Sequence, residues 1–130
     1  MSEYCEIEVE YKDKAALVQA LQEMFGHVKV YDEAQQLRGY RGDLRPQRAE
    51  IIVPKEYVGP GANDIGFQWD GKKYKAWISE FDLRHHMNNI RQQELAQRYA
   101  EKVVDKVARK NGWRVQKHRT AHQIVYTIQL

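Results

Sequence analysis

The clearest structural signal in this chain is the stretch Ile65-Gly66-Phe67-Gln68-Trp69-Asp70-Gly71-Lys72-Lys73-Tyr74-Lys75-Ala76-Trp77-Ile78. Apolar and polar residues alternate on both sides of Asp70-Gly71, which is typical of two strands that each bury one face. Asp-Gly favours the type I′ turn of a β-hairpin, because glycine accepts a positive φ angle at little cost. The sequence therefore predicts two antiparallel strands joined by a type I′ turn at Asp70-Gly71.

Before this hairpin, the sequence predicts a strand and then a helix. Residues 4–11 alternate, with Cys5, Ile7, Val9 and Tyr11 on one face and Glu6, Glu8 and Glu10 on the other. Residues 16–25 place apolar side chains three and four positions apart, which is the spacing of one helical face. Asp13 precedes this segment and Gly26 follows it as a C-terminal cap, so a helix is predicted over residues 14–25.

Two more strands are predicted between that helix and the hairpin. Apolar residues at 28–31 open one strand, and residues 49–53 form the other, which ends at Pro54. The segment between them is rich in Gly and Arg, and we expect it to be a polar loop.

After the hairpin, the sequence predicts a long helix and a final pair of strands. Asn89 and Gln92 resemble a capping box, and an apolar helical stripe continues from there to Gly112. Residues 113–117 and 123–129 alternate as two short strands with a turn near Thr120.

The predicted order of elements is β-α-β-β-β-β-α-β-β. Because hairpins dominate this order, we expect an α+β fold in which a mostly antiparallel sheet carries two helices packed on one face. A chain of 130 residues is long enough to bury one hydrophobic core. We therefore expect a single α+β domain over residues 1–130.

Composition indicates a folded protein rather than a disordered or membrane-spanning one. Hydrophobic residues make up 42% and charged residues 30% of the chain, and no apolar run approaches the roughly 18 residues that a membrane span needs. The first residues are acidic, unlike a signal peptide, and Cys5 is the single cysteine. We expect a cytoplasmic protein with no membrane association.

Charge is unevenly distributed along the chain. Residues 1–37 hold three Lys or Arg against eight Asp or Glu, whereas residues 98–130 hold eight against two. These acidic and basic segments could cover opposite faces of the fold, or they could lie side by side and pair with each other. The pattern alone is compatible with both arrangements.

Three stretches together resemble one known family. They are Leu37-Arg38-Gly39-Tyr40-Arg41-Gly42, then Asp64-Ile65-Gly66-Phe67-Gln68-Trp69-Asp70-Gly71, then Gln97-Arg98-Tyr99-Ala100 followed by Asn111-Gly112-Trp113. In order and spacing they are similar to the hypothetical chloroplast reading frame 35 family, also called domain of unknown function 1257. The resemblance implies a small protein without an assigned activity. Ser2-Glu3-Tyr4 stands where family members often carry Ser-His-Phe, so no histidine role is transferred to it.

No motif for a known catalytic chemistry is present, and no cofactor is predicted. His85 and His86 lie close behind Glu80 and Asp82, but adjacent histidines point in different directions and a metal site needs three or four convergent ligands. The sequence also lacks a nucleophile elbow, a zinc-protease helix and a phosphate-binding loop. We therefore expect no metal site and favour a non-enzymatic protein over an enzyme of unrecognised type, which is the third hypothesis.

The Arg-rich segment between residues 38 and 48 is the leading candidate binding site. Its candidate partner-binding residues are Arg38, Tyr40, Arg41, Arg45 and Arg48. Arginine forks beside an aromatic ring suit carboxylates, phosphates and stacked bases. The leading hypothesis is a non-enzymatic module that docks another protein through this segment. Alternatively, these arginines could pair with acidic residues of the first strand.

The rival hypothesis is a nucleic-acid-binding protein that uses this basic segment and the basic face of the second predicted helix. The candidate phosphate-contacting residues there are Arg98, Lys102, Lys106, Arg109, Lys110 and Arg114. A spacing of three and four lets most of them share the solvent side of a helix. Glu101 and Asp105 interrupt the stripe and allow ion pairs within the helix, which favours a solvated face. The oligomeric state is not predicted.

Overall fold

The computed structural model describes residues 2–119 and 124–129, with side chains as far as Arg114. The strands are β1 (Tyr4–Tyr11), β2 (Lys29–Arg38), β3 (Leu44–Val53), β4 (Ile65–Trp69), β5 (Tyr74–Ser79), β6 (Arg114–Arg119) and β7 (Ile124–Gln129). The helices are α1 (Lys14–Phe25), α2 (Lys55–Val58), α3 (Glu80–His85) and α4 (Asn89–Asn111). The predicted turn near Thr120 lies outside the described residues.

Five strands form one antiparallel sheet in the order β1-β5-β4-β3-β2. The predicted α+β fold class is confirmed. β6 and β7 pair with each other in a separate two-stranded sheet. Two short helices, α2 and α3, were not predicted, because four to six residues give too short an apolar period to recognise.

The main core lies between one face of the sheet and the two long helices. Phe67 and Ile65 of β4 pack in one buried cluster with Leu17 of α1 and Leu95 of α4. Fully burying side chains of this size contributes about 1.5–3 kcal/mol each. The Tyr99 hydroxyl of α4 also accepts hydrogen bonds from the backbone amides of residues 12 and 13, at 3.0 and 2.9 Å, which fixes α4 against the start of α1.

Cap chemistry sets the ends of the long helices. Asp13 Oδ1 accepts from the Ala16 amide at 3.1 Å, and Gly26 has a φ of 91°, so α1 has the predicted bounds. The N-terminal cap of α4 is Asn88, one residue before the predicted Asn89, because the Asn88 side chain accepts from the Arg91 amide.

The β4–β5 hairpin forms as predicted, but its turn type was predicted wrongly. The Asp70 amide donates to the Lys73 carbonyl at 2.9 Å, so the two central residues are Gly71 and Lys72. Only Gly71, with a φ of 102°, lies in the positive region. A type I′ turn needs a positive φ angle at both central residues, so this turn is not of that type. The Asp70 carboxylate accepts from the amides of Lys72 and Lys73, which favours this arrangement.

The predicted polar loop between the second and third strands is wrong. β2 continues to Arg38 and β3 begins at Leu44, so most of the segment is paired strand. Long-range pairing with β3 outweighs the polar composition of β2, whose outward edge carries charged side chains. On the sheet face away from the helices, Leu37, Ala49 and Ile52 form a second, smaller core.

Candidate functional site

The end of the β2–β3 hairpin, residues 38–48 (hereafter the hairpin tip), contains all five predicted partner-binding residues. The Gly39 amide donates to the Asp43 carbonyl at 2.8 Å, and the Gly42 amide donates to the Gly39 carbonyl at 2.9 Å. Gly42 has a φ of 80°, a conformation that glycine adopts cheaply. The tip is therefore a closed, hydrogen-bonded turn rather than an open loop.

Arg38 fixes the tip to the rest of the sheet. Its Nη1 donates to the Gly42 carbonyl at 3.1 Å, and its backbone amide donates to Asp64 Oδ2 at 2.8 Å. The other Asp64 oxygen accepts from the Lys55 amide at 2.8 Å. Burial raises the pKa of Asp64 in spite of these two amide donors, which lower it. The Arg38 side chain is exposed, but its guanidinium already has a hydrogen-bond partner within the tip.

The Arg45 guanidinium also contacts other groups of the protein. Its Nη2 donates to the Ser2 carbonyl at 2.9 Å, its Nη1 lies 3.9 Å from Asp43 Oδ2, and its guanidinium lies 5.3 Å from the centre of the Tyr4 ring. The Arg45 side chain is only 15% exposed. Burial, followed by the charge of Asp64, raises the pKa of Tyr4, so its hydroxyl stays protonated and donates to the Asp64 carbonyl.

Two arginines without a partner and two large apolar side chains of the tip face solvent. Tyr40 is 61% and Leu44 57% exposed. Arg41 and Arg48 are exposed, and neither guanidinium forms a hydrogen bond or ion pair with any group in the described part of the chain. These four side chains are free to contact a second molecule.

The alternative pairing of the tip arginines with acids of the first strand is wrong for the described residues. Glu8 and Glu10 instead accept from Lys73 Nζ at 3.1 and 2.8 Å, and Glu6 accepts from Lys75 Nζ at 3.1 Å. These acids of β1 therefore pair with lysines at or just before the neighbouring strand β5.

A pocket of about 430 Å³, hereafter the Tyr40 pocket, lies at the base of the tip. Its lining residues are Ser2, Tyr40, Arg41, Asp43, Arg45, Gly61, Asn63 and Phe81. It brings together three of the five predicted residues. Arg38 and Arg48 line a different cleft, of about 450 Å³, on the opposite side of the hairpin.

A buried polar cluster supports the floor of the Tyr40 pocket. Asp82 is fully buried, and its Oδ2 accepts from the Asn63 amide at 3.0 Å and from Ser79 Oγ at 2.7 Å. Asn63 Nδ2 donates to Ser79 Oγ at 2.8 Å, while Asn63 Oδ1 accepts from the Tyr40 amide at 2.8 Å. The cluster therefore connects α3 and β5 directly to the hairpin tip.

His86 holds the loop beside this cluster. Its Nε2 lies 2.8 Å from the Pro60 carbonyl and 3.9 Å from Asp82 Oδ1. A Cβ on Gly59 would approach the His86 ring to 2.5 Å, so the loop fits closely around the imidazole. Within the part of the chain that the structure describes, no three His, Cys, Asp or Glu side chains are placed to hold a metal ion.

The basic stripe of α4 lies against the acidic side of α1. Glu23 accepts from Arg98 Nη1 at 3.0 Å and also pairs with Lys102, and Asp13 accepts from Lys106 Nζ at 2.9 Å. Burial alone would raise the pKa of Glu23, but hydrogen bonds from Lys102 and Arg98 lower it. In this part of the fold, acids of the first segment and cations of the last segment lie side by side and pair.

The remaining cations of the stripe are more exposed. Arg109, Lys110 and Arg114 face solvent at the end of α4 and the start of β6. Arg109 also lines a cleft of about 680 Å³ between α1 and α4. That cleft is larger than the Tyr40 pocket, but Lys102 and Glu23 in its lining already neutralise each other.

The family-like stretch from Asp64 to Gly71 has structural roles in this protein. Asp64 joins β2 to α2, as described above. A Cβ on Gly66 would lie 2.8 Å from both Ala49 Cβ and Leu37 Cδ2, so only glycine fits there without movement. Gln68 Oε1 accepts from Trp77 Nε1 at 2.9 Å.

Sequence reasoning missed the pocket residues outside the tip. Asn63 and Phe81 come from the loop before β4 and from α3, and Ser2 precedes β1. No local pattern links them, because their proximity depends on the order of strands in the sheet. The one usable signal was Asn63-Asp64, a polar pair directly before a buried strand.

The fold and the site define an α+β protein with a five-stranded antiparallel sheet and a pocket beneath one hairpin. The family model described as "Protein of unknown function (DUF1257)" matches residues 20–128, and the chain belongs to that family. A comparison with curated proteins and one with solved structures each found no match. Among the helices of the described residues, none is long and apolar enough to cross a membrane.

Proposed function

We propose that this protein is a non-enzymatic interaction module that docks a partner protein through the hairpin tip. The observation that carries the proposal is the combination of exposed Tyr40 and Leu44 with Arg41 and Arg48, which have no partner among the described groups. Tyrosine and arginine are enriched in protein interfaces and in the few residues that dominate binding energy. The tip therefore has the composition of an interface centre.

The rigidity of the tip supports the same function. The Gly39–Asp43 and Gly42–Gly39 hydrogen bonds, together with the Tyr40 amide bond to Asn63, hold the turn in one conformation. Ordering a flexible loop on binding costs free energy, whereas a preformed turn avoids most of that cost. Docking through this surface would then need little rearrangement of the backbone.

We place this docking in the cytoplasm, the reducing environment that suits the free thiol of Cys5. We also propose that this family is the hypothetical chloroplast reading frame 35 family, because the three stretches from Leu37, Asp64 and Gln97 resemble it.

Nucleic acid is the rival ligand, through the tip and the exposed cations Arg109, Lys110 and Arg114. Ion pairs with α1 occupy Arg98, Lys102 and Lys106, so fewer cations remain to contact phosphates. Nucleic-acid binding would weaken steeply with added salt, because each neutralised phosphate releases counterions. Salt-independent capture that survives nuclease treatment excludes this rival.

The test is affinity capture from nuclease-treated extract of the native host with two matched double variants. Arg41→Ala/Arg48→Ala removes the two unpaired tip cations, and Arg109→Ala/Lys110→Ala removes two exposed cations from α4. The free energy of unfolding of both variants should lie within about 1 kcal/mol of the wild-type value, because each change is on the surface. The tip variant should lose at least about tenfold in partner capture, while the α4 variant captures normally. Equal capture by the wild type and the tip variant rules out the tip as the docking site.

A further inference from the structure

The Tyr40 pocket contains a partly buried cation with unused hydrogen-bond donors. Arg45 Nη2 donates a hydrogen bond to the Ser2 carbonyl, and Nη1 lies 3.9 Å from Asp43 Oδ2, which is longer than a hydrogen bond. A guanidinium has five N–H donors in a planar fork, so donors remain for a ligand. With 15% of the side chain exposed, an added ion pair at Arg45 would be only weakly screened by solvent.

A second cation and two rings complete the pocket. Arg41 also lines it and is exposed, so it can close over a bound group. The Tyr40 and Phe81 side chains supply apolar walls. With two arginines against Asp43, the lining carries a net positive charge, which selects a single negative group over a neutral or positive one.

The floor of the pocket is fixed before any ligand arrives. Asn63 is 3% exposed, and both ends of its amide are used, by the Tyr40 amide and by Ser79 Oγ. Gly61 has a φ of 71°, and a Cβ there would lie 3.3 Å from Phe81 Cζ, so the Phe81 ring packs close to the Gly61 backbone. A volume of about 430 Å³ falls within the range of about 300–1,000 Å³ typical of ligand pockets.

From these features we propose that the Tyr40 pocket binds an acidic side chain and an adjacent aromatic side chain of the docked partner protein. The carboxylate pairs with Arg45 and Arg41, and the aromatic ring packs between Tyr40 and Phe81. The proposal rests on docking through the hairpin tip and names the segment of the partner that is recognised.

The experiment is a titration of the ¹⁵N-labelled protein with two matched peptides, acetyl-Glu-Phe-amide and acetyl-Gln-Phe-amide, followed by amide chemical shifts. The Glu peptide should produce saturable shifts at Tyr40, Gly61 and Asn63. The Gln peptide should bind at least about tenfold more weakly, because it lacks the charge that strengthens hydrogen bonds to a guanidinium. No saturable shift with the Glu peptide, or equal affinity for the two peptides, overturns the proposal.

Single arginine variants test which side chains contribute to binding of the Glu peptide. Arg41→Gln changes an exposed, unpaired residue, so it should fold normally and bind the Glu peptide at least about fivefold more weakly. Arg45→Lys tests the buried fork, and Arg109→Gln on α4 is the control that should bind as the wild type does. Unchanged binding by Arg41→Gln and a folded Arg45→Lys overturns the proposal.

The two proposals fail in different ways. If the tip variant loses partner capture but the Glu peptide does not bind, docking through the tip stands and the acidic-aromatic specificity is wrong. If the Glu peptide binds the pocket but the tip variant captures its partner normally, the docking function is wrong, and with it the assignment of this peptide to the partner.

Discussion

Asp82→Ala should lower the free energy of unfolding by about 3–5 kcal/mol, although Asp82 lies outside every stretch that the sequence marks as functional. The change leaves two fully buried donors, the Asn63 amide and the Ser79 hydroxyl, without the carboxylate oxygen that accepts from them at 3.0 and 2.7 Å. Because this cluster joins α3 and β5 to the hairpin tip, we expect the pocket to lose its floor as well. Chemical denaturation followed by far-ultraviolet circular dichroism measures the loss.

Two controls separate this effect from a general loss of charge. Asp82→Asn keeps one acceptor oxygen in place, so it should cost less than Asp82→Ala. Asp32→Ala removes an exposed carboxylate from the edge strand β2 and should change stability by no more than about 0.5 kcal/mol. A loss under about 1 kcal/mol for Asp82→Ala would contradict the role given to the cluster.

Gly66→Ala should destabilise the protein by about 1–3 kcal/mol, even though a Gly→Ala change often stabilises a strand. The added methyl group would lie 2.8 Å from Ala49 Cβ and from Leu37 Cδ2. Both neighbours are fully buried in the smaller core, so neither can swing into solvent. The steric cost therefore exceeds the entropic gain.

The double variant Ala49→Gly/Gly66→Ala tests this cause. Removing the Ala49 methyl group makes room for the new one, so the double variant should cost less than the sum of the two single changes. The same denaturation experiment measures all three variants. If Gly66→Ala is neutral or stabilising, the close contact is not what requires glycine at this position.

Elements with a strong local pattern could be predicted from the sequence. The alternation of β1, the apolar stripe and caps of α1, and the paired strands around Asp70-Gly71 each involve neighbours in the chain. The turn type could not be predicted. It depends on whether Asp70 or Gly71 is the first central residue, and the Asp70 hydrogen bonds to the amides of Lys72 and Lys73 decide it.

Elements that depend on distant partners were predicted poorly. β2 carries Asp32, Glu33 and two glutamines and has no regular alternation, yet it pairs with β3 on both sides of an irregular stretch between Val30 and Gln35. Likewise, the charge counts could not distinguish separate faces from paired faces, whereas the structure shows that Glu23 pairs with Arg98 and Lys102. In both cases the deciding contacts join residues many positions apart.

In the candidate site too, some features could be predicted from the sequence and others could not. The tip residues were found because Arg, Tyr and Gly are concentrated in one short segment. The four arginines look alike in the sequence, but the Arg38 and Arg45 side chains have hydrogen-bond partners within the protein, whereas those of Arg41 and Arg48 have none among the described groups. For Arg45 that distinction depends on Ser2, which is 43 positions away in the chain, and for Arg38 it depends on how the turn at Gly42 closes.

Docking through the hairpin tip is tested most directly by amide hydrogen–deuterium exchange of the protein, alone and with its purified partner. Exchange slows where a partner covers the backbone or stabilises its hydrogen bonds. With the partner bound, we expect slower exchange of the backbone amides in residues 38–44, and no change in residues 105–111 of α4. Protection confined to α4, with the tip exchanging at its free rate, would contradict it.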